Sequence, residues 1–414
     1  MRLTLGTDLA CSTLGALEDM NPLKQILDLP AAEKEKRGLL HTPHEIAQQP
    51  ATWRSTWRLF EQRLPEIQEF LIKAGLQAPP DQRPIVYLVG AGTSDYIGQS
   101  LHHLLRQKWQ CEVEAVSSTS LLIDFSDFIL KDRPYLWISF SRSGDSPEGV
   151  AVLQRALAQQ PHISHLVISC NASGKMTQMI AGHTNCLSIV LDKETNDEGL
   201  AMTSSFTNMV LFGQALAHTW PAAEYAPIVE SMCAAADSFL PLAAKMAMTL
   251  AELDYKRACF IGSGVLAGVA QESALKLLEL TAGKVKTMSQ TTLGLRHGPM
   301  AALDHETLFI CFLSTENTRQ RYEIDLLREI ERKQLVGASV AVIGCGAQLL
   351  PEIENTQILA PAGHWDVPDI YRPVIDVLFG QALGLFFSLH HGLTPDSPSP
   401  NGAISRVVQP IMIY

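Results

Sequence analysis

Eight cysteines are scattered singly through 414 residues, and no two of them form a C-x-x-C pair. That spacing excludes a zinc ribbon or a disulfide framework and suits a reducing cytosol. Basic residues are in deficit, 32 Lys and Arg against 43 Asp and Glu, for a net charge of −11. Sequence-independent nucleic-acid binding is therefore not expected, because it relies on Lys and Arg displacing counterions from phosphates. A long apolar run is also missing. The longest, from Val374 to Leu389, is interrupted by Asp376 and Gln381 and is too short to span a bilayer. Asp8 breaks the one candidate signal region, so no secretory peptide and no membrane partner are expected. No H-E-x-x-H and no G-x-S-x-G occur. His102-His103 and His390-His391 are adjacent pairs, and neighbours on a helix do not face the same way. No metal is demanded, although His183, His364 and Asp366 remain available to a site assembled in three dimensions. What is present is 46% hydrophobic residues, enough for a folded cytoplasmic protein of two or three domains.

Residues 1–83 read as mostly helical. Between Ala51 and Ala74, Trp53, Trp57, Phe60, Leu64, Ile67 and Leu71 recur at three- and four-residue intervals, one face of a helix. Pro65 is expected to split that stretch in two, since proline is tolerated in a first turn and not inside. IVYLVGAGTSDYIG (85–98) then carries a short apolar run into a glycine-rich turn and a helix, the signature of a buried parallel strand. YLWISF (135–140), HLVIS (165–169) and CLSIVL (186–191) repeat the pattern. A shift of about 172 residues reproduces the series as ACFIGSG (258–264), TLFICFLSTENT (307–318), SVAVIGCG (339–346) and TQILAPAG (356–363). Four strands recurring in order favour a duplication. The expected fold class is α/β, two tandem three-layer domains joined through the helical stretch near 215–255.

The halves differ where chemistry would sit. After YLWISF the first half presents Ser141-Arg142-Ser143-Gly144-Asp145-Ser146; the second presents Leu313-Ser314-Thr315-Glu316-Asn317-Thr318. The glycine is lost and a carboxylate gained, so one half is expected to bind an anion and the other not. GAGTSD (90–95) and SFSRSGDS (139–146) both lie where a strand yields to a helix, the edge of a doubly wound sheet that holds ligands. Unpaired N–H groups and small hydroxyls there make Ser94, Ser141, Ser143 and Ser146 a candidate phosphate cradle. The plain alternative is that they are helix N-caps. No Gly-Lys-Ser/Thr follows either turn, which excludes a P-loop. Gly262-x-Gly264-x-x-Ala267 fits a relaxed dinucleotide fingerprint, but nothing acidic ends Val285–Gln290 to hold a ribose, so no nucleotide cofactor is expected.

Glu272, Lys276 and Glu279 stand at i, i+4 and i+7 and share one helix face. Periodicity alone reads this as a solvated charged stripe with one helpful ion pair. The functional alternative is a Glu tuned by a neighbouring Lys for proton transfer at carbon. His297, within Leu295-Arg296-His297-Gly298-Pro299, suits protonation of a ring oxygen or a structural role equally.

The tandem halves, GAGTSDYIG, SFSRSGDSPEG, CNASGKM, DEGLAMTSSFT and ESALKLLELTAG…LRHGP closely resemble the sugar isomerase (SIS) domains and the isomerase half of glucosamine-6-phosphate synthase. KETNDEGLAMTSSFT and NGAISRVVQ resemble more particularly the galactosamine-6-phosphate deaminase/isomerase group, also called tagatose-6-phosphate ketose/aldose isomerase. The resemblance covers roughly Glu45 to Tyr414. It implies two flavodoxin-like α/β/α SIS domains with parallel sheets, at 46–217 and 218–391, after a helical N-terminal extension (1–45). A tail (392–414) closes the active site. It further implies a sugar phosphate held by Ser94, Ser141, Arg142, Ser143 and Ser146, and Glu279 moving a proton between C1 and C2 beside Lys276. His297 would open the ring from a neighbouring subunit, making a homodimer or larger homo-oligomer, with no cofactor and no metal.

Two positions depart from the pattern. The family's C-terminal lysine falls at Ser405-Arg406, and Arg406 cannot form a Schiff base. Gly294 stands where the family's Gly-Glu-Leu-Lys-His-Gly-Pro has its glutamate. About forty residues precede the resemblance, against a whole glutaminase domain in the synthase, so release of ammonia is expected rather than its addition. Galactosamine 6-phosphate would give tagatose 6-phosphate. The alternatives are plain isomerisation of an unaminated sugar phosphate, or a sugar-phosphate sensor. For the latter the first 83 residues offer no DNA-binding module.

Overall fold

The computed structural model describes residues 21–344, 353, 355–363, 367–409 and 411–414. His364 and Asp366, and Asp8 with the first part of the N-terminal extension, lie outside the described residues. Strands β1 (Ile85–Gly90), β2 (Val113–Ser117), β3 (Tyr135–Ser141), β4 (Ser164–Ser169) and β5 (Cys186–Val190) form one sheet; β6 (Arg257–Gly262), β7 (Lys286–Thr291), β8 (Thr307–Leu313), β9 (Ala338–Ile343) and β10 (Thr356–Leu359) form the other. The orders are β2-β1-β3-β4-β5 and, read from the other end, β7-β6-β8-β9-β10. All pairings are parallel. Both sheets thus have the doubly wound order in which the chain reverses direction beside the first strand. Every residue of β1, β3 and β8 is buried, which is why these strands read as unbroken apolar runs.

The duplication extends to backbone angles. The 172-residue offset separates Ile85 from Arg257 and Tyr135 from Thr307. Gly92 caps one helix at φ 56°, ψ −126°, and Gly264 caps its counterpart at φ 58°, ψ −129°, a region essentially restricted to glycine.

Helices that matter to the site are α1 (Gln49–Lys73), α2 (Thr93–Trp109), α3 (Pro147–Gln159), α4 (Ser204–Ala217), α5 (Ala222–Glu252), α6 (Val265–Leu280), α7 (Asn317–Lys333) and α8 (Pro373–His390). Pro65 does not divide α1, contrary to the sequence expectation. Trp53, Trp57 and Phe60 before the proline and Ile67, Phe70 and Leu71 after it are all buried. Burying such side chains contributes about 1.5–3 kcal/mol each, which together outweigh the ~3 kcal/mol a helical proline costs. The apolar run near the C-terminus is α8. By length and composition it could cross a membrane, but 89% of it is buried inside the protein. It is the core helix of the second half.

One hydrophobic cluster runs from Leu23 to Phe387 and takes side chains from both halves. Its helices touch at backbone distance. A Cβ on Gly268 of α6 would lie 2.9 Å from the Ser100 amide of α2, and a Cβ on Gly380 of α8 would lie 2.4 Å from Ser273 Cβ and 2.8 Å from its Cα. A polar seam threads the same interface: Gln49 Nε2 donates to Gln381 Oε1 at 2.6 Å, Thr207 to Gln49 Oε1 at 2.6 Å, and Trp53 Nε1 to Thr207 at 2.9 Å. All four residues are fully buried, so their pairing specifies how α1, α4 and α8 meet.

Gly380→Ala is expected to cost about 1–3 kcal/mol through forced separation of α6 and α8, read as a lower urea midpoint. Adding Ser273→Gly, which removes the obstructing Cβ and hydroxyl, is expected to restore part of it. Unchanged stability in the single variant would contradict the close approach.

Candidate active site

Strands β1 and β3 are neighbours where the sheet order reverses, and the loops that leave them face one cavity of about 570 Å³. The first wall is the hydroxyl loop 141–146. Ser141 Oγ accepts from Gly144 N (3.0 Å), Ser143 Oγ from Asp145 N (3.2 Å) and Ser146 Oγ from Gly149 N (3.2 Å). Ser146 is thus the N-cap of α3, so the plain reading holds for it. A serine that accepts an amide retains its own O–H, and three such donors at a helix start suit an anion. Gly144 turns the loop at φ 70°, and a Cβ there would lie 3.0 Å from Gly174 Cα. Asn171 Nδ2 holds Ser143 O at 2.8 Å from the neighbouring loop. Ser94, in the first turn of α2, is buried in the same wall with Met202 as its neighbour. Arg142 lines the cavity, yet its guanidinium donates to the carbonyls of Gly199 (3.2 Å), Leu200 (3.1 Å) and Arg406. It acts here as a strut between three segments.

The opposite wall belongs to α6. The solvated stripe that periodicity suggests is not what the structure holds, because Glu272 and Lys276 are both 0% exposed. The face is turned onto α2 of the first half rather than to water. Lys276 Nζ donates to Glu279 Oε2 at 2.6 Å and to Thr93 Oγ1 at 3.0 Å, and stands 3.4 Å from Glu272 Oε1. Burial alone would lower the Lys276 pKa, but Glu272 and Glu279 outweigh it and hold it above its ordinary value. Burial pushes Glu272 the other way, up to about 8, against the pull of Lys276. Its Oε2 is buried without a hydrogen-bond partner. The short contact of Lys276 is with Glu279, whose side chain is 23% exposed at the cavity.

A third wall is the C-terminal tail, residues 402–409. Arg406 lies in it, its Nε donating to Asp197 O (2.7 Å) and its terminal nitrogen to Asn196 Oδ1 (2.9 Å). The tail is fastened upstream, where Asp396 accepts from the amides of Leu40 (2.7 Å) and Thr42 (2.7 Å). Asp197 caps α4 through the amides of Thr203, Ser204 and Ser205, each at 2.9 Å. Glu45 reaches from the N-terminal helices to the Gly199 amide at 3.1 Å. Burial, then the neighbouring Asp197, push its pKa up to about 8. Sequence reasoning missed Glu45, Thr93, Asp197 and Asp396, whose partners are remote in the chain. Only the helix-start setting of Asp197, ahead of Thr-Ser-Ser, could have been read. His297 is exposed and does not line the cavity of its own chain. Among the described residues the lining includes no His or Cys, so donors for a borderline metal are not gathered here.

At the equivalent edge of the second half the donors are filled from within the protein. Glu316 Oε1 and Oε2 accept from Thr318 N and Arg319 N, both at 3.0 Å, at the start of α7. Asp369 accepts from Thr315 N (3.0 Å) and Ser314 Oγ, and pairs with buried Arg372 at 2.7 Å. The protein's own carboxylates occupy the donors.

No family model matches the chain. It is 34% identical over 340 residues to D-galactosamine-6-phosphate deaminase AgaS of Escherichia coli O157:H7, covering 80% of this chain and 85% of that protein. It is 31% identical over 403 residues to D-galactosamine-6-phosphate deaminase AgaS of Shewanella sp. (strain ANA-3), covering 96% of each. Among solved structures, tagatose-6-phosphate ketose/aldose isomerase from Escherichia coli superposes with a TM-score of 0.79 at 30% identity, over 90% of this chain and 96% of that one.

Glu45 generates a pH signature. A carboxyl whose folded pKa is about 8 against a usual 4.5 keeps a proton that the unfolded chain has released. Its contribution to stability is complete below the lower value and is lost as pH rises through the upper one. Glu45→Gln abolishes the titration, so the wild type's melting temperature, taken relative to the variant's, should fall between about pH 5 and about pH 8. Parallel melting curves across that window would contradict a proton on Glu45.

Proposed function

Because the chain belongs to the AgaS family of D-galactosamine-6-phosphate deaminases, we propose that it converts D-galactosamine 6-phosphate and water to D-tagatose 6-phosphate and ammonia. One observation carries the reading: a single cavity joins the hydroxyl loop of the first half to the Lys276–Glu279 pair of the second. In this scheme the phosphate lies against Ser94, Ser141, Ser143 and Ser146. Glu279 takes the C2 proton of the open-chain 2-amino aldose, giving an enaminol, and returns a proton to C1. The resulting C2 imine adds water and expels ammonia, leaving the ketose. Lys276 stays charged between its carboxylates and orients Glu279. Arg142 and Arg406 hold the 196–200 segment and the tail around the sugar. Arg406 cannot form a Schiff base, and the scheme needs none. His297, exposed on its own chain, acts in this reading in the cavity of a second subunit, so the working unit is a cytoplasmic homodimer or larger homo-oligomer.

Ammonia release measured against a panel of hexosamine 6-phosphates tests the substrate. Isomerisation of tagatose 6-phosphate without ammonia release from any of them would favour plain ketose–aldose isomerisation. Glu279→Gln keeps the shape of the side chain and removes the base. General acid–base catalysis contributes about 10²–10⁴-fold, so kcat should fall at least that far. Exchange of the C2 proton in deuterated water should disappear together with ammonia release. Normal kcat in the folded variant would remove Glu279 from the mechanism.

Subunit sharing makes a separate prediction. Mixed dimers of His297→Ala and Glu279→Gln chains contain one cavity with both intact residues and are expected to regain activity that neither parent has. Verified hybrids without activity would mean that each subunit builds its site alone.

A further inference from the structure

Three side chains outside the cavity meet in a way that the reaction does not use. Asp254 stands in the turn between α5 and β6 at φ 55°. His390 ends α8, and His391 is its C-cap. One ligand atom from each lies within 4.8 Å of the other two. Neighbours inside a helix diverge, but at the end of α8 both imidazoles come near the same carboxylate. The carboxylate divides its labour: Lys256 Nζ sits on Asp254 Oδ2, while Oδ1 faces His390 Nε2 at 3.7 Å. The two rings stand edge to face with centroids 5.4 Å apart. His391 Nε2 is buried without a hydrogen-bond partner, a costly state for a lone pair unless something takes it up.

We propose that Asp254, His390 and His391 bind one divalent d-block cation of the Zn²⁺ type, with water completing a four-coordinate shell. Two imidazoles and one carboxylate are the ligand set that such borderline ions favour over Mg²⁺ or Ca²⁺. Bond lengths of about 2.0–2.2 Å place tetrahedral ligand atoms roughly 3.3 Å apart. The three groups must therefore draw in from their present spacing, which rotation of the exposed Asp254 and His390 side chains supplies. Lys256 is both a help and a hindrance. It orients the carboxylate as an outer partner does, and its charge opposes the ion. The ion would tie the turn before β6 to the root of the C-terminal tail. Gly392, at φ 67°, follows His391 directly, and the tail runs from there to the cavity.

The untagged full chain, stripped with chelator and titrated with Zn²⁺ by calorimetry, should take up one ion per chain. Co²⁺ in its place should develop visible absorption bands of low-symmetry nitrogen/oxygen coordination. Asp254→Asn, His390→Gln and His391→Ala should each weaken binding at least roughly tenfold, since even outer-partner losses reach that size. Lys256→Met, which removes the competing cation, should tighten it roughly threefold. No saturable Zn²⁺ binding, or variants that bind as the wild type does, would overturn the site and leave a His390–Asp254 contact alone.

Discussion

An ammonium group with no exposure to water governs the arrangement of the two halves. Lys276 is stable in that position only because Glu272 and Glu279 approach it along its own helix and Thr93 approaches from the other half. The Thr93 hydroxyl is within reach only if α6 lies almost in backbone contact with α2. Gly268 permits that approach. Breaking one partner of a buried charge costs about 3–5 kcal/mol, so the seam between the halves is under electrostatic as well as packing constraint. The catalytic candidate Glu279 inherits its placement from this arrangement. Its carboxylate is held by a cation that is itself buried.

Duplication supplied two equivalent sheet edges, and charge distinguishes them. Both edges carry glycine-capped helices with nearly identical angles at Gly92 and Gly264. A helix start with unpaired amides attracts any anion, including the protein's own. In the second half Glu316 caps α7 and Asp369 takes the Thr315 amide and the Ser314 hydroxyl, so those donors are satisfied internally. In the first half the loop donors are bound only to serine oxygens, which keep hydroxyl protons to give. The same fold therefore offers an open cradle once.

The strands, their order of recurrence and the hydroxyl loops could be read from the sequence because each is a local pattern: an apolar run, a turn residue, a helix start. The face bearing Glu272, Lys276 and Glu279 could not. Periodicity identifies which residues share a face and says nothing of whether water or another helix covers it. Here α2 covers it, and a charged stripe becomes a buried ion cluster. Pro65 misled for a related reason, since its penalty is local while the six buried side chains that outweigh it are tertiary. Glu45, Asp197 and Asp396 escaped notice because a carboxylate that serves remote amides looks, in one dimension, like any surface acid.

Those remote carboxylates explain how a cavity is closed by segments that have little core of their own. Residues 400–405 of the tail are exposed, so hydrophobic burial contributes little to their placement. Asp396 fixes the tail to the amides at 40–42, and Arg406 fixes it to Asn196 and Asp197. Arg142 then clasps the Arg406 carbonyl while holding Gly199 and Leu200, so the hydroxyl loop, the 196–200 segment and the tail share one guanidinium. A segment held by a few polar contacts opens at lower free energy than a sheet edge buried on both faces. The cradle and the Lys276 cluster are consequently the rigid floor of the cavity, and the tail is the wall whose departure requires the least.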